Sequence, residues 1–277
     1  LRLIWVISGS EENKSLLMSN GQLDSAMDIS LGAFEAIQAR NPNVIGWYAD
    51  MPYAWADPCP RQMTLNTAVA PWDNANLRKA ISLIVDRNQI VDVAYEGTSV
   101  PSSTLFVQYP AMDPFINAAV DAGYGVDATA HVDEGKALIE GEGWTMGSGG
   151  FYEKDGAVLS MELSFPSGFI EATRSVAVIV EQLRAAGIDA VSRPLEDATN
   201  FSNRDIGDFE GIWNWDACGS INEPWNSLSK FTTHFIVPLG EMAPGGNNYQ
   251  RWDTEGTVAY TEIVDQIGSL PLNDPSI

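Results

Sequence analysis

The chain is poor in basic residues: 15 Lys and Arg stand against 37 Asp and Glu, a net charge of −22 over 277 residues. A surface of that sign repels phosphate backbones and anionic lipid headgroups, which excludes nucleic acid as a partner. Histidine is nearly missing too. His131 and His234 lack a second His or Cys at ligand spacing, so surface histidines are expected, with no metal and no cofactor. Cysteine is limited to Cys59 and Cys218, which fit a disulfide in an oxidising compartment or two free thiols in a reducing one. The longest apolar runs, such as Leu3 to Ile7 and Val176 to Val180, fall short of the roughly 20 residues of a membrane helix. No Gly-x-Ser-x-Gly elbow is present to position a nucleophile. Gly141, Gly143, Gly147, Gly149 and Gly150 are not followed by Lys-Ser or Lys-Thr, so they mark turns rather than a phosphate loop. Asp24 with Asp28, and Glu11 with Glu12, read as helix decoration and not as a glycosidase pair. No covalent chemistry is expected.

What the chain does contain is a core: 45% of its residues are hydrophobic, enough for one large or two modest domains. Met63, Leu65 and Val69 form a β-favouring run that Pro71 closes. Asp73, Asn74 or Asn76 then caps a long helix in which Leu77, Ala80, Ile81, Ile84 and Val85 make one apolar stripe opposite Arg78, Lys79 and Asp86. Farther on, the Asp155-Gly156 turn leads into a strand where Leu159, Met161, Leu163 and Phe165 alternate with polar residues, predicting one buried face. Residues 169–186 place Val176, Ile179, Val180 and Leu183 on one side of a helix that ends at Gly187, and Ile188 opens another strand. Strand, helix, strand implies a parallel pair, and the fold class is α/β.

The residues best suited to bind something lie between 209 and 231. Phe209, Ile212 and Trp213 or Trp215 read as a strand, and Asp216 to Pro224 as a loop after it, where α/β sheets place ligands. Trp213, Trp215 and Trp225 stand beside Asn214, Asp216, Asn222 and Glu223. Flat apolar faces next to amides and carboxylates match a pyranose, whose C–H faces are apolar and whose rim is hydroxyl. The plainer reading sends the tryptophans into the core; Trp213 and Trp215 share a face, so both are buried or both line a cleft. Tyr53 and Trp55, in the aromatic loop Asp50 to Pro58, either add a stacking ring or pack on the surface.

Leu65-Asn66-Thr67, Pro71, Asn74, Leu77-Arg78, Ala80-Ile81 and Asp86-Arg87, followed by Tyr95-Glu96-Gly97, Val100-Pro101, Pro110 and the segment Asp133 to Trp144, together resemble the solute-binding proteins of ABC importers. The resemblance is to family 5, which includes oligopeptide- and dipeptide-binding proteins. It implies a type II periplasmic-binding-protein-like lobe, a mixed sheet flanked by helices. It also implies export to the periplasm or cell exterior, a monomer, no cofactor, and delivery of cargo to an ABC permease. Two lobes would close on the ligand, with Asn66 and Thr67 in the hinge crossing. Family members are considerably longer, so residues 1–67 read as the end of the first lobe and the crossing strand. Residues 68–277 read as the second lobe, stopping before the family's terminal return. Peptide-binding members place an Asp and an aromatic residue shortly before the Pro matching Pro224, to pair with the peptide α-amine. Here Ser220-Ile221 occupies that place, although a longer loop could bring Asp216 into the role. An oligosaccharide is therefore the favoured cargo. An oligopeptide or nickel chelate is the alternative within the family, and a carbohydrate-active enzyme or accessory module the alternative outside it.

Overall fold

The computed structural model describes residues 2–53, 56–215, 218–272, 274, 276 and 277. Trp55 and Asp216 lie outside the described residues. Two short helices come first, α1 (Glu11–Ser19) and α2 (Leu31–Arg40), each begun by a serine whose hydroxyl accepts from a first-turn amide. Strand β1 (Arg61–Leu65) follows, then α3 (Ala75–Ile84) and α4 (Arg87–Ala94). The β-favouring run stops at Leu65, before Val69. Asn66 turns the chain because its side-chain amide is drawn to the carbonyls of Gly207 (2.9 Å) and Phe209 (3.1 Å).

The single long helix expected after Pro71 is two. Asn74 caps α3 as anticipated. Val85 and Asp86 are extended, and the Asp86 carboxylate accepts from the Gln89 amide at 3.0 Å, starting α4 afresh. Arg87 donates to the Ser82 and Val85 carbonyls at 3.0 and 3.2 Å, satisfying acceptors that the end of α3 leaves open.

Helices α5 (Asp113–Ala119) and α6 (Val132–Gly141) lead to a hairpin sheet of β2 (Thr145–Met146), β3 (Tyr152–Lys154) and β4 (Ala157–Val158). Asp155 and Gly156, at φ 52° and 83°, make the two-residue turn between β3 and β4. The main layer then forms from β5 (Ser160–Pro166), α7 (Ile170–Ala185), β6 (Asp189–Leu195), α8 (Asp197–Ile206) and β7 (Gly211–Trp215). Helices α9 (Trp225–Leu228) and α10 (Glu255–Ser269) follow.

The four-stranded sheet has the order β1, β7, β5, β6; β5 is parallel to β6 and β7, and β1 runs antiparallel to β7. It is a mixed sheet flanked by helices. Pro194, which cannot donate to a ladder, sits on the outer strand β6, where one side needs no partner. Leu159, Met161, Leu163 and Phe165 are buried with Val176, Ile179 and Leu183 of α7 and Leu77, Ile81 and Ile84 of α3. Each such side chain contributes about 1.5–3 kcal/mol on leaving water. The single buried face predicted for β5 holds only at its start: Ser164 is also buried, because β5 is an inner strand and α8 packs across its second face. Phe209, expected in the last strand, lies just before β7 and joins a separate small core with Ile212, Ala243 and Tyr249.

Candidate functional site

The register brings four chain ends to one edge of the sheet. Pro166 pairs with Leu195, the carboxyl ends of β5 and β6, and Trp215 at the end of β7 pairs with Arg61 at the start of β1. Ligands of α/β sheets bind beyond this edge, where strands end and helices begin.

Trp215 is half-buried there, edge-on to Phe169 (ring centroids 5.0 Å apart), Phe201 (5.6 Å) and Trp213 (6.0 Å). The Arg61 guanidinium carbon lies 5.5 Å from the Trp215 ring centroid. Arg61 donates to Asp57 and to the Cys59 carbonyl, both at 2.9 Å, and its second terminal nitrogen is 3.5 Å from Glu171. Burial works against its charge, but Asp57 and Glu171 outweigh that and hold its pKa above the ordinary value.

Cys59 and Cys218 are joined in a disulfide, which decides between the two states that the sequence leaves open. The bond continues the β1–β7 pairing and ties the loop after β7 to the approach of β1. Inside that loop Ser220 is buried; its hydroxyl donates to the Pro224 carbonyl at 3.1 Å and accepts from the Ser227 amide at 2.9 Å. Glu223 accepts from the Trp225 amide at 2.6 Å. Trp225 is 40% exposed, and its indole lies so close over α10 that a Cβ added to Gly268 would strike it.

A cavity of about 940 Å³ opens beside this edge, between β1, α3, α4 and the segment 97–108. Leu65, Ile81, Val85, Ile179 and Trp213 form apolar parts of its wall; Arg61, Tyr95 and Ser175 also border it. Burial pushes the Tyr95 phenol up to about 12, so it stays protonated and a donor. The Tyr95 and Ser175 hydroxyl oxygens are buried beside one another, and Ser175 partly offsets the upward shift of the phenol.

The structure therefore separates the residues that the sequence grouped. Trp213 is 2% exposed, in the core with one side on the cavity, while Trp215 remains at the rim; sharing a face did not give them one fate, because β7 ends at Trp215. Asn214 is fully buried on the opposite face, beside Ile212. Asn222, Glu223 and Trp225 stand on the disulfide-tethered loop. Asn66 and Thr67 are tied inward, Thr67 donating to the carbonyls of Gln250 (3.0 Å) and Arg251 (2.7 Å). Sequence reasoning missed the roles of Arg61, Phe169, Glu171, Tyr95 and Ser175, which come from β1, the end of α4 and the start of α7 and meet only in the fold. His131 bonds Asp127 at 3.0 Å and His234 bonds Asp265 at 2.9 Å, both exposed. Among the described residues, no three His, Cys, Asp or Glu side chains are grouped to hold a metal, and no helix is long and apolar enough to cross a membrane.

A family model described as bacterial extracellular solute-binding proteins, family 5 Middle, matches residues 2–236. The nickel-binding periplasmic protein of Escherichia coli K12 is 30% identical over 153 residues, 54% of this chain and 28% of that protein. An oligopeptide ABC transporter periplasmic oligopeptide-binding protein from Thermotoga maritima superposes with a TM-score of 0.81 at 18% identity, over 100% of this chain and 49% of that one. Its mannohexaose-bound structure gives 0.78 at 18% identity, over 96% and 51%. The chain thus spans about half of the Thermotoga protein and less of the curated relative.

Proposed function

The chain belongs to the bacterial extracellular solute-binding proteins of family 5, and from that premise we propose that it is part of the cargo-binding subunit of an ABC importer, with a neutral oligosaccharide as cargo. The protein works outside the cytoplasm, as a monomer, and hands its ligand unchanged to a membrane permease. It is a carrier and not an enzyme. Residues 68–277 make up the second lobe, and residues 1–67 the end of the first together with the crossing strand β1. Asn66 and Thr67 stand where the chain crosses between them.

The observation that carries the cargo reading is Ser220. At the place where the resemblance puts the carboxylate of peptide-binding members, this chain has a buried serine whose hydroxyl is engaged with Pro224 and Ser227, with Asp216 of the longer loop as the alternative. Trp215 at the rim and the exposed Trp225 supply faces for sugar rings, with Asn222 and Glu223 beside them. The Thermotoga neighbour carries mannohexaose, which supports the same choice. Without the opposing lobe the chain cannot enclose most of a ligand, so binding is expected to be weak.

Calorimetry of the 277-residue chain at millimolar ligand tests this. Binding of a neutral hexasaccharide, reduced at least fivefold in Trp225→Ala, is expected. Binding of short peptides or of a nickel chelate with no response to any sugar would replace the oligosaccharide by those cargoes.

A further inference from the structure

Three large aromatic side chains meet beyond the carboxyl ends of β5, β6 and β7, and each is only half-buried. Phe169 follows β5, Phe201 stands on α8 after β6, and Trp215 ends β7. Phe169 and Phe201 both pack edge-on to Trp215, with ring centroids 5.0 and 5.6 Å from it. Apolar side chains grouped and left half-covered mark an interaction site.

The chain forgoes local stability to keep Phe169 in this group. Phe169 is the N-cap of the 16-residue helix α7, and its side chain cannot accept from a first-turn amide as Ser10, Ser30, Asn74 and Asp86 do at α1 to α4. The turn before it is fixed instead by a tertiary contact. The Gly168 amide donates to the Asp197 carboxylate at 2.9 Å, and a Cβ on Gly168 would strike that carboxylate. Asp197 opens α8, so one bond sets Phe169 and the helix of Phe201 against each other. A local rule broken at a position held by its surroundings points to use of the side chain that breaks it.

Polar groups beside the rings narrow the guest. Arg61, over the Trp215 ring, uses one terminal nitrogen on Asp57 and the Cys59 carbonyl. Its other terminal nitrogen stands 3.5 Å from Glu171, two residues past Phe169, and among the described residues that carboxylate accepts no hydrogen bond. A charged donor and a charged acceptor side by side match two adjacent hydroxyls of one ring, since each hydroxyl can give and accept. An apolar peptide side chain would cover the rings and leave the pair unused; a pyranose, with apolar C–H faces and a hydroxyl rim, engages both.

We propose that Phe169 and Phe201, with Trp215, form the apolar floor of a pyranose subsite at the sheet edge, and that Arg61 and Glu171 bind two adjacent hydroxyls of the ring lying on it. The proposal rests on the oligosaccharide reading and adds to it the residues that set specificity.

The test titrates the 277-residue chain with mannohexaose, cellohexaose and xylohexaose, following tryptophan fluorescence and heat. At least one sugar binds the unaltered chain, and Phe201→Ala and Glu171→Gln each weaken that binding at least fivefold. Phe169→Ser and Phe169→Ala weaken it alike, yet the serine variant unfolds at the higher urea midpoint because it regains the cap. A purely structural Phe169 would instead make binding follow stability. Crystals soaked in the bound sugar show a ring against Phe201 with a hydroxyl at Glu171, a readout independent of how the variants fold. A sugar that lies only at the Trp225 loop, or binding unchanged in Phe201→Ala and Phe169→Ser, overturns the subsite and leaves the cargo reading intact. No binding of any of the three sugars overturns both.

Discussion

Arg61 and Trp215 are register partners across the β1–β7 ladder, and the guanidinium of one lies 5.5 Å from the ring centroid of the other. The pair joins the edge strand to the aromatic cluster at the sheet end, and the adjacent disulfide anchors both strands at that end. Backbone pairing, a cation over an aromatic face and a covalent bond thus converge within a few residues at this end of the sheet.

The disulfide carries a stability prediction. It closes a loop of 159 residues, for which the chain-entropy model gives about 5 kcal/mol; removal of native disulfides typically costs about 2–5 kcal/mol, the loss expected for Cys59→Ser with Cys218→Ser. Urea unfolding measures it, and thiol labelling of the denatured, unreduced chain is expected to find no reactive cysteine.

Replacing Ser220 by Ala removes one donor and one acceptor from a buried loop, leaving the Pro224 carbonyl and the Ser227 amide without that partner. A loss of about 1–3 kcal/mol is expected, read as a lower urea midpoint with an unchanged slope.

Leu163 is fully buried at the centre of the sheet, against α7 and α3. Leu163→Ala is expected to cost about 2–5 kcal/mol in the same assay, whereas Ile263→Ala, at a position 60% exposed, changes little.

Tyr95 sets an alkaline limit. Burial raises its pKa from 10.0 to about 12, so the folded state holds the phenol proton more tightly than the unfolded state. The contribution to stability is complete below pH 10.0 and is lost as pH rises toward about 12, by roughly 1.4 kcal/mol per pH unit at most. Tyr95→Phe is expected to flatten that part of the stability profile. Equal alkaline slopes for the two proteins would exclude Tyr95 as the cause.

Much of the fold was legible because it rests on local periodicity. The alternation in β5, the stripe on α3 and the glycine after α7 each follow from neighbours in sequence, and Gly187 takes the left-handed φ of 97° that its position requires. The break between α3 and α4 was not legible: Val85 continues the apolar stripe, and only the competing hydrogen bonds of Asp86 and Arg87 end the helix there.

The site was legible only in part. Residue types pointed to the end of β7, yet whether Trp213, Asn214 and Trp215 face solvent depends on where the strand stops and on what covers each face. A period of two assigns faces without saying which face is roofed.

The sequence by itself determined the α/β class, the family and the acidic surface, since each follows from residue type and short-range spacing. Tertiary structure alone decided that Cys59 meets Cys218, that Arg61 covers Trp215 and that Tyr95 and Ser175 share a cavity. Those meetings join residues far apart in the chain, and strand register and helix packing fix them.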